Sequence, residues 1–337
     1  MAARMNAGSG WTRSLKVVFP VVVLAALLVL PAAGLSANMV RMLFATAVWT
    51  ITSVGWNLLG GFAGQVSFGF AVFYGLGAYT AALLINGGVN PYIAFLGGAG
   101  TAAAASFLIG LPTFRLRGPY FVIATIAVTE AVRVIMNNLD FTGGASGYRI
   151  VEQGEFRPLE HYYTAVGALA IAVAISILIS RSRFGLALRA IKQDEDAAAD
   201  IGVRPYASKL WVHAVAAALT GIAGGIYARR AAFIHPGDVF SFQTGVSILL
   251  MPIIGGIGTV WGAVLGGAVY GLVEQELLAY FPETHLLLYG GLLILIILLE
   301  PGGIVGLAQR LWRRTHGDSG GHDADQVLWG RGGLARR

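Results

Sequence analysis

The chain has 337 residues, of which 56% are hydrophobic and only 12% are charged. Soluble domains carry about 25% charged residues, and a soluble fold of this length needs more polar surface than this sequence supplies. The sequence contains no cysteine, which excludes disulfides, thiol catalysis and cysteine-ligated zinc or iron–sulfur sites. The composition therefore predicts a helical integral membrane protein.

The net charge of +6 would suggest nucleic-acid binding if the protein were soluble. Here the basic residues lie in short loops between apolar runs, and no basic stripe with interleaved aromatic residues is present. This distribution is typical of membrane topology, in which cytoplasmic loops are enriched in Lys and Arg. The charge therefore carries information about orientation.

Ten segments are apolar over a length close to the roughly 20 residues that cross a bilayer. We therefore predict an all-α, polytopic bundle of about ten transmembrane helices with glycine-interrupted segments and a cytoplasmic loop. The predicted spans are residues 17–35, 39–58, 67–85, 91–111, 119–136, 162–180, 210–228, 242–256, 260–280 and 285–300. The eighth is short and runs into a glycine cluster, so its end is expected to be irregular.

The basic residues also predict the orientation of the bundle. Arg4, Arg13 and Lys16 precede the first span, which places the N-terminus in the cytoplasm. Alternation of the spans then places loops 112–118 and 181–209 on the cytoplasmic side, and both loops are basic. The C-terminal tail falls on the same side, so we expect both termini in the cytoplasm.

These boundaries divide the chain into a cytoplasmic N-terminal segment at 1–16, a transmembrane domain at 17–306 and a cytoplasmic tail at 307–337. The tail is rich in Gly, Asp and Arg without apolar periodicity, so we expect it to be disordered. An alternative interpretation of the first span is a cleaved signal peptide. Arg229 and Arg230 are an exception to the charge rule, because the topology places them outside.

Few ionisable residues lie inside the predicted spans. Glu130 and Arg133 lie in the outer half of the fifth span and are spaced to pair on one helix face; we favour a structural pair over a role in a substrate path. Glu274 lies near the outer end of the ninth span, with Glu276 beside it, and His213 near the inner end of the seventh. The near absence of charge at mid-membrane weakens a proton relay or a voltage sensor.

Glycine pairs at four-residue spacing recur in the later spans. Such spacing lets helix backbones approach closely, and we interpret these pairs as packing positions only. The pairs are Gly221/Gly225, Gly262/Gly266 and Gly267/Gly271.

The segment 60–69 is different, because its glycines are interspersed with the polar residues Gln65 and Ser67 between two apolar spans. Each glycine disfavours a helix by up to about 1 kcal/mol. Irregular backbone at membrane depth is tolerated where it lines a cavity, so these side chains would then contact a zwitterionic or neutral solute; the alternative is a plain cytoplasmic turn. A similar cluster at 255–262 hints at an internal repeat.

The long loop at 181–209 reads as two short helices. The first is predicted at 185–192, with Leu186, Leu188 and Ile191 as its apolar positions and Arg189 and Lys192 exposed.

The second helix of the loop carries start and stop signals. Asp194 is its predicted N-cap, and Glu195 and Asp196 in the first turn favour the helix dipole. Gly202 ends it, and Pro205 prevents continuation. The three alanines at 197–199 offer a thin face to a partner; the alternative is a loop that packs only on its own bundle.

The loop at 181–209 contains a recognisable family motif. The pattern Asp196-Ala197-Ala198-x3-Gly202 resembles the EAA-type coupling loop of ABC importer permeases, with Asp in place of the usual Glu. The preceding Phe184-Gly185-x-Ala187-x-Arg189-Ala190-Ile191 is similar to the branched-chain amino acid permease family. Leu186 stands where that family often has Arg.

Two further motifs support the resemblance to this family. One is Asn57-Leu58-Leu59-x-Gly61-x-x-Gly64-Gln65-x-Ser67-x-Gly69-x5-Gly75-x-Gly77-Ala78-Tyr79, and the other is Gly255-Gly256-x-Gly258-Thr259-x-x-Gly262. Phe70 departs from the family, in which His is common. The resemblance covers roughly residues 40–310, which is nearly the whole predicted membrane domain.

The resemblance implies a permease subunit of an ATP-driven ABC importer in the bacterial inner membrane. Its partners would be a second related permease, two cytoplasmic ABC ATPase subunits and an external solute-binding protein, besides membrane lipid. Its solutes would be leucine, isoleucine and valine; urea or short amides are the alternative within the family. A stand-alone channel or secondary transporter for a neutral solute is a further alternative.

Independently of the resemblance, the sequence lacks a nucleotide-binding motif. No lysine follows a glycine anywhere in the chain, so the GxxxxGK[ST] phosphate loop is absent. Neither a nucleophile–base pair nor a metal-ligand set is recognisable. We therefore expect a transport subunit rather than an enzyme, with no cofactor of its own and with ATP and Mg used by the partner ATPases.

Two sets of site residues follow from these motifs. The predicted ATPase-coupling residues are Phe184, Gly185, Arg189, Lys192, Glu195, Asp196, Ala197, Ala198 and Gly202. The predicted substrate-pathway residues are Asn57, Gly61, Gly64, Gln65, Ser67, Gly69, Gly255, Gly256, Gly258 and Thr259.

Overall fold

A computed structural model of the chain describes residues 36–151, 157–280, 291 and 302–307. The predicted N-terminal segment, the first span and most of the tenth span lie outside the described residues, as does the tail beyond 307. The described chain is almost entirely helical. A single pair of two-residue strands is the exception within this part of the chain.

The helices follow one another with short connections. They are α1 (Ala37–Asn57), a π-helix (Leu58–Phe62), α2 (Phe70–Asn86), α3 (Pro91–Thr113), α4 (Pro119–Asn137), α5 (Pro158–Arg181), α6 (Arg183–Gln193), α7 (Glu195–Asp200), α8 (Pro205–Ala231), α9 (Pro236–Val239), α10 (Phe242–Gly255) and α11 (Val260–Tyr280). Two 3-10 turns (Asp140–Thr142 and Gly144–Ser146) and strand β1 (Tyr148–Arg149) separate α4 from α5, and strand β2 (Phe233–Ile234) follows α8.

Each predicted span from the second to the ninth corresponds to one of these helices. Within the described residues, 6 helical segments are long and apolar enough to cross a membrane. Two shorter apolar helices, Phe70–Asn86 and Val260–Glu274, accompany them. The protein is thus a helical membrane protein, while the total of ten spans stays a prediction.

The centre of the bundle is formed by α1 and α8, whose apolar windows are 78% and 72% buried, against 22% for α4. Helix α8 packs on α2 and α3, and α1 packs on α11. Glycines at these crossings let the backbones touch. A Cβ on Gly77 of α2 would overlap the carbonyl of Gly221 in α8, and one on Gly221 would lie 2.8 Å from the carbonyl oxygen of Gly98 in α3.

The predicted packing role of the paired glycines is confirmed. Gly262 and Gly266 of α11 face the backbone of α10 and the turn after it, while Gly267 and Gly271 face the backbone of α1. In each case, a Cβ would collide with backbone atoms, so the close approach depends on glycine.

The outer helices α3, α4 and α5 expose large apolar side chains, as lipid-facing or subunit-facing surfaces do. The exposed fractions are 67% for Leu96, 74% for Leu108, 72% for Tyr120 and 70% for Leu178.

One end of the bundle is closed by the strands and by side-chain bonds. Asn86 at the end of α2 donates to the carbonyl of Arg149 and accepts from the amide of Val151, both at 2.9 Å. Arg229 at the end of α8 pairs with Glu160 at the start of α5 at 2.8 Å. The loop helices α6 and α7 lie at the opposite end. We call these the outer end and the coupling end.

Candidate functional site: the coupling end

Helix α6 begins at a sharp corner after α5. The hydroxyl of Ser182 caps it by accepting from the Gly185 amide at 3.1 Å. A Cβ on Gly185 would overlap the carbonyl of Ile179, so the corner requires glycine. Leu188 and Ile191 are buried as predicted, but Leu186 is 61% exposed, so its assignment to the packed face is wrong.

Helix α7 matches its predicted start and stop. The Asp194 carboxylate accepts from the amides of Asp196 and Ala197, both at 2.9 Å. At the other end, Gly202 has φ +89° and donates to the carbonyl of Ala199, while Val203 donates to that of Ala198. This is a Schellman motif, in which glycine accepts the left-handed backbone conformation without strain.

The acidic first turn of α7 does more than favour the dipole, because Glu195 ties the helix to the bundle. Its carboxylate accepts from Lys209 Nζ at 2.8 Å. Lys209 is only 1% exposed, and its ammonium lies 5.8 Å from the centre of the Phe114 ring. A buried ammonium needs a carboxylate to balance its charge, so this pair anchors α7 on the start of α8.

Asp196 ties α7 to a different loop. Arg117 donates to both of its carboxylate oxygens, at 2.9 and 3.1 Å. The hydrogen bond from the guanidinium lowers the pKa of Asp196, since it favours the charged form. The pair joins the basic loops 112–118 and 181–209 at one end, where the predicted topology places both.

Lys192 of α6 reaches back into the membrane bundle. Its Nζ donates to the carbonyl of Gly61 in the π-helix at 2.9 Å. The same amine lies 3.1 Å from where a Cβ on Gly258 would stand. One ammonium therefore touches both glycine clusters.

Asn57 joins the same two clusters from within α1. Its Oδ1 accepts from the Gly258 amide at 2.9 Å, and its Nδ2 donates to the Thr259 carbonyl at 3.1 Å. We call Asn57, Gly61, Lys192, Gly258 and Thr259 the clasp. A Cβ on Gly61 would overlap the Asn57 side chain, so the clasp closes only around glycine.

The other predicted pathway residues surround the clasp. Gly64 has φ +74° and faces the Lys192 side chain. Ser67 accepts from the Gly69 amide at 3.1 Å in the turn before α2, while Gln65 is half-buried. At the second cluster, Gly255 packs on α11 and Gly256 has φ +128°. The structure thus brings both clusters to the coupling end, where 63–69 forms a turn; contact with a solute stays a prediction.

The partners of the predicted residues were not predicted from the sequence. Lys209 and Arg117 entered only as part of the basic loops 181–209 and 112–118, although each pairs with the acidic turn of α7. One signal was available for Lys209, because lysine is rare in this chain and the residue begins an apolar helix. For the Lys192–Gly61 contact, the sequence carries no signal, since the acceptor is a backbone carbonyl 131 residues away.

A helical membrane bundle with a pair of ordered helices anchored across one end is consistent with a membrane-spanning subunit of a transport system. The chain belongs to the family described as the branched-chain amino acid transport system permease component, whose model matches residues 38–297. It is a permease subunit of the ABC transporter type and not an enzyme. ATP hydrolysis in these systems lies on separate subunits.

Curated relatives agree with the family. The chain is 30% identical over 335 residues to the permease protein LivM of the high-affinity branched-chain amino acid transport system of Escherichia coli, which covers 89% of this chain and 78% of the relative. It is 29% identical to LivM of Salmonella typhimurium (83% and 72% covered) and 25% identical to LivH of that organism (77% and 92% covered). No solved structure matches the chain.

Proposed function

We propose that this chain is the translocating subunit of an ATP-driven importer that carries branched-chain amino acids, or a similar small solute, across the inner membrane by alternating access. The observation that carries the proposal is the anchored pair α6–α7, which presents an outward face for a cytoplasmic partner and holds the clasp on its other side.

The exposed surface of the pair includes apolar residues among charged ones, although it lies at a bundle end. Leu186 is 61% exposed and Ile201 is 77% exposed, and the exposed alanines 197 and 199 lie between them in the sequence. Ala198 is buried against the bundle. Exposed apolar surface rimmed by charge is typical of protein–protein contacts, so we assign this face to the groove of an ATPase subunit.

The clasp supplies the mechanical connection. ATP-driven closure of the ATPases would push on α6 and α7, and Lys192 would transmit that displacement to the π-helix and to the turn before α11. The substrate path would then open to one side at a time. Such π-helical turns occur often at functional sites, and the glycines let these segments move without side-chain clashes.

The proposed assembly has two cytoplasmic ATPases, a second related permease and an external solute-binding protein. The relatives named LivM and LivH are both permease proteins of one kind of transport system, which supports pairing with a second permease. This chain would bind no cofactor, while the ATPases would use ATP and Mg. We retain ten transmembrane helices, with both termini in the cytoplasm, as part of this proposal.

Affinity purification from the native membrane tests the assembly. We expect two ATPase chains and a second multispan protein to be recovered with this chain. Ile201→Asp should remove the ATPases from the complex, because it places a charge on the docking face. The matched control is Leu116→Asp, which changes an exposed apolar residue at the same end but off α6–α7.

Uptake into vesicles tests the transport itself. The assembled complex with its binding protein should take up leucine, isoleucine and valine only when ATP is hydrolysed. ATP-dependent uptake of urea with no uptake of amino acids would contradict the substrate assignment. Uptake by this chain alone without ATP would overturn the importer and favour a channel.

A further inference from the structure

A cavity of about 590 Å³ lies between α1, α2, α8 and α11, toward the outer end. Its lining combines aromatic rings with three charged side chains, in a domain otherwise poor in charge. The lining residues are Arg41, Phe44, Ala45, Val48, Trp49, Tyr74, Tyr227, Arg230, Ala231 and Glu274. We call it the outer cavity.

The depth of the outer cavity follows from the directions of its helices. Arg41 lies one turn from the outer start of α1, and Arg230 lies in the last turn of α8. Trp49 lies near the middle of α1. The cavity therefore runs from the outer rim to about half the depth of the bundle, and its floor is separated from the clasp by the inner half of α1.

The floor and walls of the cavity are aromatic. The rings of Trp49 and Tyr74 are stacked, with centroids 6.0 Å apart and an interplanar angle of 8°. Tyr227 packs against Tyr74 at 5.7 Å. Such a set of rings buries an aliphatic side chain well, because it offers a large apolar area with little rotamer freedom to lose.

The rim of the cavity is positive. Arg41 is exposed and Arg230 is half-buried. The Arg230 guanidinium stacks on the Phe44 ring at 5.1 Å from its centre, which fixes it over the cavity. Arg41 and Arg230 place two guanidinium groups on the lining of one cavity. They are a good arrangement for a carboxylate, which guanidinium groups bind with matched geometry.

Glu274 is the negative counterpart within the cavity. Two other carboxylates in outer halves of helices are neutralised internally: Glu130 by Arg133 and Glu160 by Arg229. Among the described residues, Glu274 makes no ion pair, and its Oε2 is buried without a hydrogen-bond partner.

The Glu274 carboxylate has side-chain hydrogen bonds with Trp49 and with the hydroxyl of Tyr270, and that hydroxyl also serves another residue. It donates to Ser247 at 2.6 Å and lies 3.5 Å from Glu274 Oε1, so it satisfies the carboxylate weakly. An ionisable side chain inside a membrane domain is costly and marks functional sites. A cationic group of a ligand that binds and dissociates reversibly would be a suitable partner for this carboxylate.

We propose that the outer cavity is a binding site for a free α-amino acid, entered from outside. Arg41 and Arg230 receive the α-carboxylate, Glu274 receives the α-ammonium, and the aliphatic side chain lies on Trp49 and Tyr74. The assignment rests on the proposed transport function and deepens it by naming the contacts that select an apolar zwitterion. A cavity of this volume lies within the range of small-molecule sites, about 300–1,000 Å³.

The chain offers a clean reporter for this site, because it contains no cysteine. Ala45→Cys places a single thiol of this chain on the cavity wall, and Ala231→Cys at the rim is a second reporter in case the first fails to assemble. The complete transporter in right-side-out membranes is treated with a membrane-impermeant thiol reagent, and modification of this chain is followed by mass shift.

Millimolar leucine should slow the modification several-fold. Two analogues isolate the charges: 4-methylpentanoate lacks the ammonium, and 3-methylbutylamine lacks the carboxylate. Neither should protect as leucine does. Protection by the amine or by the acid that equals protection by leucine would overturn the proposal. Failure of leucine to slow the modification would overturn it as well.

Variants assign the two contacts. Glu274→Gln should abolish protection by leucine, and Arg230→Gln should do the same, while both complexes still assemble. Glu130→Gln is the matched control, because it alters a carboxylate at similar depth outside the cavity. Protection that persists in both variants would overturn the proposed contacts.

Uptake measured in the same membranes separates this proposal from the transport function. If wild-type uptake of leucine is ATP-dependent and the cavity variants match it, the site is wrong and the function stands. If leucine protects the thiol through Glu274 but is not taken up, the site stands and the proposed transport is wrong.

Discussion

The coupling end and the outer cavity treat charge in opposite ways, although ion pairs such as Arg229–Glu160 are also present at the outer end. At the coupling end, Glu195 holds the buried Lys209, Asp196 holds Arg117, and Lys192 caps a backbone carbonyl. At the outer end, the carboxylate of Glu274 faces a cavity without an ion pair among the described residues. Ion pairs and hydrogen bonds formed within the chain stiffen it. A carboxylate that faces a cavity without an ion pair can instead bind a solute and release it. The first end suits the transmission of force, and the second suits the reception of a solute.

The largest expected effect concerns the anchor of α7. Glu195→Ala leaves the Lys209 ammonium buried without its carboxylate, a change that costs about 3–5 kcal/mol in comparable pairs. The melting temperature of the purified complex should fall clearly. The double variant Glu195→Ala with Lys209→Met should recover most of the loss, because it removes the buried charge. A double variant as unstable as the single would contradict the role of the pair.

The clasp should be needed for coupling more than for folding. Lys192→Met removes a hydrogen bond from a charged donor, which is worth about 1.5–3 kcal/mol. We expect uptake per ATP hydrolysed to fall about tenfold, the equivalent of about 1.4 kcal/mol. Arg183→Met is the control, since Arg183 is an exposed cation of the same helix that belongs neither to the clasp nor to the predicted coupling residues. Equal losses in both variants would mean that the Lys192 contact is not specific.

The outer end should tolerate loss of its charge. Glu274→Gln removes no internal ion pair, so the melting temperature should stay unchanged or rise slightly, with a change below about 1 kcal/mol. Set beside Glu195→Ala, this variant measures the contrast between the two ends directly. A large destabilisation would show that Glu274 serves the fold and would remove the contrast.

The smallest expected effect concerns the exposed ion pair between Arg117 and Asp196. Arg117→Gln should leave the melting temperature unchanged at neutral pH and moderate salt, because exposed ion pairs contribute little. Arg117 lowers the pKa of Asp196, so any contribution of the pair is present above the ordinary aspartate pKa, about 4. It is lost as the pH falls through the lower pKa of the folded state. A small difference in melting temperature that is present above that pH and vanishes below it would fit; a difference that appears only below that pH would contradict the role of the pair.

Local signals predicted the coupling helices closely. Asp194, Gly202 and Pro205 set the bounds of α7, because capping and backbone conformation depend on neighbours in the chain. Leu186 was misassigned, since helical periodicity does not say where the packed face ends. The paired glycines were interpreted correctly as packing positions, but their partners came only from the structure.

The membrane class, the helices from the second to the ninth predicted span and the family motifs could be predicted from the residues, because hydrophobic length and local capping are read within short segments. The fold was needed to show that the two glycine clusters meet at Lys192, that Lys209 is buried, and that Arg230 and Glu274 share one cavity. These relations join residues far apart in the chain. They depend on how the helices rotate and approach, which backbone contacts at glycines such as Gly77 and Gly221 decide and no local pattern records.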